Sequence, residues 1–278
     1  MARDQGPVVS SAILRTELGR LRRDRGLTQE EVARKMEWSP SKLIRIEGGR
    51  SSISKQDLDA LLDEYEAKSV ADRLQALRVS ARAGSWWDGY KNHFDDQYLS
   101  FIGYEAGASF IRQTALVIPG LLQTREYAEI LSQGRVVTLR LQRQQELAQR
   151  ENPPHQFYVL DEAVIRRHIG NSTDPAIMPA QLRSIAGRME HDPLVTVLII
   201  PFSKGEHPGL RGVFTLLEFA EGLPDTLYLD SGRGDIVLAH ESDKVSEYRD
   251  DFESMIELAL SKEASIEFMR TAAKEMSR

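Results

Sequence analysis

Residues 27–50, Leu27-Thr28-Gln29-Glu30-Glu31-Val32-Ala33-Arg34-Lys35-Met36-Glu37-Trp38-Ser39-Pro40-Ser41-Lys42-Leu43-Ile44-Arg45-Ile46-Glu47-Gly48-Gly49-Arg50, decide the fold of the first part of this chain. They read as two short helices joined by a tight turn. Thr28 is a good N-cap, and Glu31, three residues on, completes a capping box. Val32, Ala33 and Met36 then share one helical face. Ser39 is the next N-cap, with Pro40 at the first helical position, where its missing N–H costs nothing. Leu43 and Ile46 point inward, and Gly48-Gly49 stops the helix. Helices this short need a shared core. The spacing is that of a helix-turn-helix whose second helix enters the major groove.

The outer face of that second helix carries Pro40, Ser41, Lys42, Ile44 and Arg45. Serine and arginine can read base edges, and an exposed isoleucine can pack on a thymine methyl. Ser41, Lys42 and Arg45 are therefore the expected base contacts. Gln29 opens the first helix, where N–H groups can hold a phosphate. Ser39, Arg50, Ser52 and Lys55 extend the expected phosphate contacts.

In residue type and spacing, "GLTQEEVARKM" (26–36) followed by "SPSKLIRIEGGR" (39–50) resembles the lambda/434-repressor helix-turn-helix, or XRE, family. The resemblance implies a structural ion pair between an arginine of the preceding helix and the glutamate ending the recognition helix; Arg22 and Glu47 match those positions. Two residues depart from the family pattern. Glu37 stands where a turn glycine is common, and glutamate tolerates a left-handed conformation poorly. Ile44 stands where a small polar residue is common.

At 278 residues the chain suits two domains, and 41% hydrophobic content supports a packed core. The net charge of −6 is unevenly spread: residues 1–55 hold 12 Lys/Arg against 7 Asp/Glu, leaving 24 against 35 for the remainder. A basic head on an acidic body fits a DNA-binding module joined to a part that stays off DNA. Absence of cysteine excludes disulfides, zinc-thiolate sites and cysteine nucleophiles, and suits a reducing cytoplasm. No stretch approaches the ~18 apolar residues of a membrane span, and Met1–Ser10 lacks the apolar run of a signal peptide.

Upstream, Leu14, Leu18 and Leu21 have helical spacing; downstream, Ser54 caps a helix with Leu58, Leu61, Leu62 and Tyr65 inside. The expected fold is a mainly α, five-helix, lambda-repressor-like DNA-binding domain over 1–68. A helical linker over 69–84 and an α+β domain over 85–278, with a small mixed or antiparallel sheet, complete it. Strands are expected at 116–118, 157–160, 194–200, 213–219, 227–229 and 236–239. Helices are expected from Thr124, over 136–149, from Asp161 to His168, over 177–189, 244–261 and 264–276. The aromatics Trp86, Trp87, Tyr90, His93, Phe94 and Tyr98 read as core or interface rather than a ligand cage.

The run "PGLLQTREYA" (119–128), with Arg140, Arg143, Gln144 and then "LDEAVIRRHIG" (160–170), resembles the signature of a C-terminal domain of unknown function found in actinobacterial XRE regulators. The likeness extends over about 90–270. It implies an antitoxin-like regulator whose C-terminal domain binds a small protein encoded by an adjacent gene, in a toxin–antitoxin-like pair. Without the resemblance, Pro-Gly supplies a turn and Leu121, Leu122 and Tyr127 fill a core. A small-molecule effector bound by the same domain is the alternative.

Chemistry is sparse. The six histidines show no helical metal-pair spacing and no HExxH, so no metal is expected. Ser231–Asp235 is glycine-rich but lacks the phosphate-loop order and reads as a hairpin turn. There is no GxSxG elbow and no kinase signature. Arg143, His168 and Asp161 are the best polar candidates for catalysis, and they are too few to point to an enzyme. No cofactor is expected. The expectation is a cytoplasmic, homodimeric DNA-binding regulator acting on a double-stranded operator, because paired half-sites multiply specificity.

Overall fold

The computed structural model describes residues 6–220, 223–230, 236–239 and 242–278. It divides into two compact units, Met1–Phe94 with Phe219–Leu223, and Asp95–Glu218 with Pro224–Arg278.

The first unit is built from five helices: α1 (Gly6–Asp24), α2 (Gln29–Lys35), α3 (Pro40–Glu47), α4 (Lys55–Glu64) and α5 (Ala71–Ser80). Val9, Ile13, Leu18, Val32, Leu43, Ile46, Leu58, Leu61 and Leu74 are buried. The segment expected to be a linker is the fifth helix itself: α5 packs along α1, and Ser10 donates to or accepts from Ser80 at 2.9 Å. Its buried residues, Leu74 and Leu77, are too few to mark a packed helix by pattern alone.

Local capping sets the helix ends. Thr28 accepts from the Glu31 backbone N–H while Glu31 reaches back to the Thr28 N–H at 2.8 Å. Ser54 caps α4 by accepting from the Asp57 N–H. Ser39 departs from expectation. It occupies the cap position of α3 but makes no side-chain cap bond, because its backbone carbonyl already accepts the Lys42 N–H at 2.9 Å. Between α2 and α3, Glu37 adopts φ 55°, the left-handed conformation expected of the turn. The Trp38 N–H reaches back to the Ala33 carbonyl at 2.8 Å, closing the turn that glycine usually occupies.

In the second unit, α6 (Asp96–Glu105) leads into a six-stranded mixed sheet with order β3-β2-β1-β4-β5-β6. The strands are β1 (Phe110–Thr114), β2 (His155–Asp161), β3 (Val195–Ile200), β4 (Phe214–Glu218), β5 (Thr226–Asp230) and β6 (Ile236–Ala239). β1, β2 and β3 are parallel neighbours, and β4, β5 and β6 continue antiparallel from β1. Parallel pairing requires helical crossovers. They are α7 (Arg125–Leu131) and α8 (Arg135–Ala148) between β1 and β2, then α9 (Glu162–Arg166) and α10 (Ile177–His191) before β3. α11 (Ser242–Leu258) and α12 (Lys262–Met276) end the chain described.

Both faces of the sheet are covered. Tyr158, Leu160, Val197 and Ile199 meet Leu182, Ile185 and Met189 of α10 and Met269, Ala272 and Ala273 of α12. Val159, Ile200, Phe214, Leu216 and Leu227 meet Val245, Phe252 and Met255 of α11. A strand covered on both faces reads as an unbroken apolar run, which is why 194–200 was legible. The outer edge of β3 is closed by the start of α12: Ser265 Oγ accepts from the Ile199 N–H, and the Leu260 N–H donates to the Ile199 carbonyl.

The strand expected at 116–118 is not one. The chain turns there, and β1 lies earlier, at 110–114. Gln123 donates to the Ile118 carbonyl at 2.6 Å and the Tyr127 hydroxyl accepts from the Ile118 N–H, so side chains replace the ladder partners. The Ser231–Asp235 turn lies outside the described residues.

Replacing Glu37 with glycine should relieve the left-handed cost of a side chain (about 1–2 kcal/mol) against glycine's larger unfolded-state entropy (about 0.5–1 kcal/mol). The expected net stabilisation is about 0.5–1 kcal/mol, read from chemical-denaturation midpoints; a destabilised Glu37→Gly variant would contradict the turn geometry.

Candidate nucleic-acid interface

α3 is a two-sided rod. Leu43 and Ile46 are buried against the bundle, while Ser41, Ile44 and Arg45 are exposed, Ile44 at 47%. The expected base-contacting residues do not stand alike. Arg45 and Ser41 are exposed on the outer face. Lys42 is turned toward α4: its ammonium contacts Asp57 at 2.9 Å and lies 3.9 Å from the centroid of the Trp38 ring. The Asp57 partner was not visible from periodicity, since it lies fifteen residues away, whereas Trp38 is only four residues before Lys42.

The expected phosphate contacts also divide. Arg50 is exposed just past α3, and Ser39 is exposed at its start with its hydroxyl 3.5 Å from that of Ser41. Lys55 is the first residue of α4 and reaches Asp59 at 2.9 Å on an exposed surface. Ser52 accepts a long bond from Arg82 at 3.4 Å. Gln29 is committed inward: its amide donates to Glu47 at 2.7 Å.

That bond belongs to the network that sets the angle of α3. Arg22 of α1 grips Glu47 with two N–H groups, at 2.8 and 3.1 Å, and donates a third to the Leu27 carbonyl at 2.7 Å. Both side chains are about nine-tenths buried, at 12% and 9% exposure. Hydrogen bonding to Glu47 raises the Arg22 pKa, outweighing the cost of burial. A carboxylate at a helix C-terminus faces the negative end of the dipole, so the guanidinium offsets an arrangement that would otherwise be unfavourable. At the same end, Gly49 has φ 74°, and Arg15 packs so closely that a Cβ there would overlap its guanidinium.

In the second unit the 118–124 segment is held by side chains from two helices. Gln144 of α8 donates to the Gly120 and Gln123 carbonyls at 2.8 and 2.9 Å. Gln181 of α10 accepts from the Thr124 N–H and donates to the Leu122 carbonyl at 2.7 and 2.8 Å. Arg188 donates to the Leu121 carbonyl, and Arg140 to the Gln123 side-chain oxygen at 2.6 Å. Arg143 forms a buried, bidentate pair with Glu105 at 2.9 and 2.6 Å and also donates to the Tyr98 hydroxyl. Burial alone would lower the Arg143 pKa, but Glu105 holds it above the ordinary value. The other polar candidates are engaged separately: Asp161 with His207 at 3.0 Å and the Ala163 N–H, His168 with the Pro175 carbonyl. Among the described residues, no group of three or more His, Asp or Glu is placed to hold a metal ion, and no helix is long and apolar enough to cross a membrane. A cavity of about 590 Å³ opens where β1 runs into the 115–120 segment, opposite residues 211–215.

The aromatic segment divides between the units. Trp87 is buried and meets Trp86 edge-on at 5.3 Å between ring centres, and Tyr90 meets Phe94 at 6.1 Å. Tyr98 stacks with Phe101 beside Arg143.

Comparison with known families bears on both units. The model of a helix-turn-helix domain matches residues 13–77, spanning α1 to α5. The model described as domain of unknown function DUF5753 matches residues 98–271, well over half of the chain. The chain belongs to the DUF5753 family. No curated protein and no solved structure matches it. Within the DUF5753 domain, Arg140 and Gln144 fasten the "PGLLQTREYA" run, while Arg143 pairs separately with Glu105 and Tyr98. The helix-turn-helix domain supports a DNA-binding regulator.

Removing one partner of the buried pair leaves the other charge without compensation, so Glu47→Ala should cost the helix-turn-helix domain about 3 kcal/mol. Denaturant unfolding followed by tryptophan emission checks this, and a loss under ~0.5 kcal/mol, the usual surface value, would contradict it.

Proposed function

We propose that this chain is a sequence-specific transcriptional regulator of the XRE type, which docks α3 in the major groove of a double-stranded operator and binds as a homodimer. The observation that carries this reading is the two-sided α3, with Leu43 and Ile46 buried while Ser41, Ile44 and Arg45 stand outward. Arg45 would take the two acceptors of a guanine, Ser41 a neighbouring base edge, and Ile44 a thymine methyl. Lys42 would have to leave Asp57 and Trp38 to reach a base, so its charge fits better as a brace that steadies α3. Arg50, Ser39 and Lys55 would contact phosphates, with Ser52 and Gln29 secondary because both already have protein partners.

For the DUF5753 domain, the proposed role is to bind a small protein encoded by an adjacent gene, in an antitoxin-like, actinobacterial arrangement that controls the promoter. The protein would work in the cytoplasm, without a cofactor and without catalysis. A second reading, that the domain senses a small molecule, is favoured by the 590 Å³ cavity. Thermal shifts of the full chain separate the two: stabilisation by the neighbouring gene product supports the first, and by a metabolite the second.

Mobility-shift titrations against operators selected from random DNA test the docking. Arg45→Ala should lose about 1–3 kcal/mol of discrimination at one base pair per half-site. Lys55→Ala should weaken all sequences alike and reduce the salt slope by about 1 for each subunit bound. Wild-type affinity in both variants would overturn the docking geometry.

A further inference from the structure

Arg140 and Arg143 project from the same face of α8, three residues apart, and are provided for differently. Arg143 has the Glu105 carboxylate in a two-point grip. Among the described residues, Arg140 has a single protein acceptor, the neutral Gln123 side-chain oxygen at 2.6 Å, and no carboxylate lies within ion-pair distance of it. A guanidinium carries five N–H groups, so most of its donors are unspent. Its half-burial holds the pKa below the ordinary arginine value, with the neighbouring Arg143 charge adding to the effect.

This under-provided cation lines the cavity beside β1. Around it the walls are largely apolar, with Leu116, Val117, Val213, Phe214 and the Tyr228 ring among them. The other charged residue lining the space, among the described residues, is also positive: Arg211, which is exposed and 3.6 Å from Asp251. Among the described residues, no aspartate or glutamate lines the cavity. A half-buried cation without a counter-ion is costly unless something supplies one.

We propose that this cavity is a binding site for a small organic carboxylate, whose acid group pairs with Arg140 as Glu105 pairs with Arg143 and whose apolar body lies along Leu116, Val213 and Phe214. One guanidinium matches the planar, two-oxygen geometry of a carboxylate. The proposal rests on the reading of the DUF5753 domain as a ligand sensor and is independent of DNA binding by the helix-turn-helix domain. Because Arg140 also fastens Gln123, the occupant would touch the segment that Gln144 and Gln181 hold in place.

The test uses the full chain without DNA, with octanoate and 4-butylbenzoate as probes, each compared with its primary amide by calorimetric titration and thermal shift. The acids should bind and raise the melting temperature, with the amides at least tenfold weaker. Arg140→Gln, shown to be folded by circular dichroism, should lose the preference for acid over amide. Val213→Trp, which fills the cavity but keeps Arg140, should lose binding of both. Equal binding of acid and amide, no binding of either at millimolar concentration, or unchanged acid affinity in folded Arg140→Gln would each overturn the proposal. Should Arg140→Gln fail to fold, the acid–amide comparison on the unaltered chain still decides.

Discussion

A single carboxylate at the end of α3, that of Glu47, receives N–H groups from both preceding helices: two from Arg22 of α1 and one from Gln29 of α2. Two helices too short to stand alone, α2 and α3, are thereby fixed at one angle to α1. The cost of bringing a negative charge to a helix C-terminus is met by a guanidinium placed against it. The outward face of α3 depends on this. If the network loosened, Leu43 and Ile46 would still seek the core, but the direction in which Ser41 and Arg45 project would no longer be set. The strained Glu37 turn is tolerable for the same reason, since both helices it joins are pinned elsewhere.

The DUF5753 domain uses the same device on a larger scale. Its 118–124 segment runs irregularly beside the sheet, where unpaired backbone groups would be costly. Gln123, Gln144, Gln181 and Arg188 supply the bonds that a strand or helix would have supplied internally. The signature run is therefore held in a hydrogen-bonded framework by Arg140, Gln144, Gln181 and Arg188. Arg140 differs from the others in having donors to spare, and it lines the cavity beside β1.

How much of this was legible in the sequence follows the range of the interactions. Thr28–Glu31, Ser54, Thr124 and Asp161 were readable because a cap and its N–H lie two or three residues apart. The strand at 195–200 was readable because it is buried on both faces. The resemblance to the XRE family implied the Arg22–Glu47 pair, which no periodicity would have revealed. What could not be read depends on distant partners. Lys42 is drawn off the outer face by Asp57, Gln29 is drawn inward by Glu47, and α5 joins the bundle by lying along α1. β1 was missed because its Phe-Ile-Arg-Gln-Thr sequence is half polar and is made a strand by neighbours on both sides, whereas the apolar run after it is taken over by Gln123 and Tyr127. Glu105 lies 38 residues from Arg143, so the identity of that buried counter-ion was equally hidden.

Because the chain contains no cysteine, a single thiol introduced at Ser41 is a unique attachment point for an iron chelate that cleaves nearby DNA. With α3 in the major groove of a dimer's operator, cleavage from that position should fall in two clusters about 10 base pairs apart, one per half-site. An operator bound tightly by the labelled chain but left uncut from position 41, or cut no more than from a thiol placed at the exposed Arg183 of the DUF5753 domain, would contradict the account at its centre.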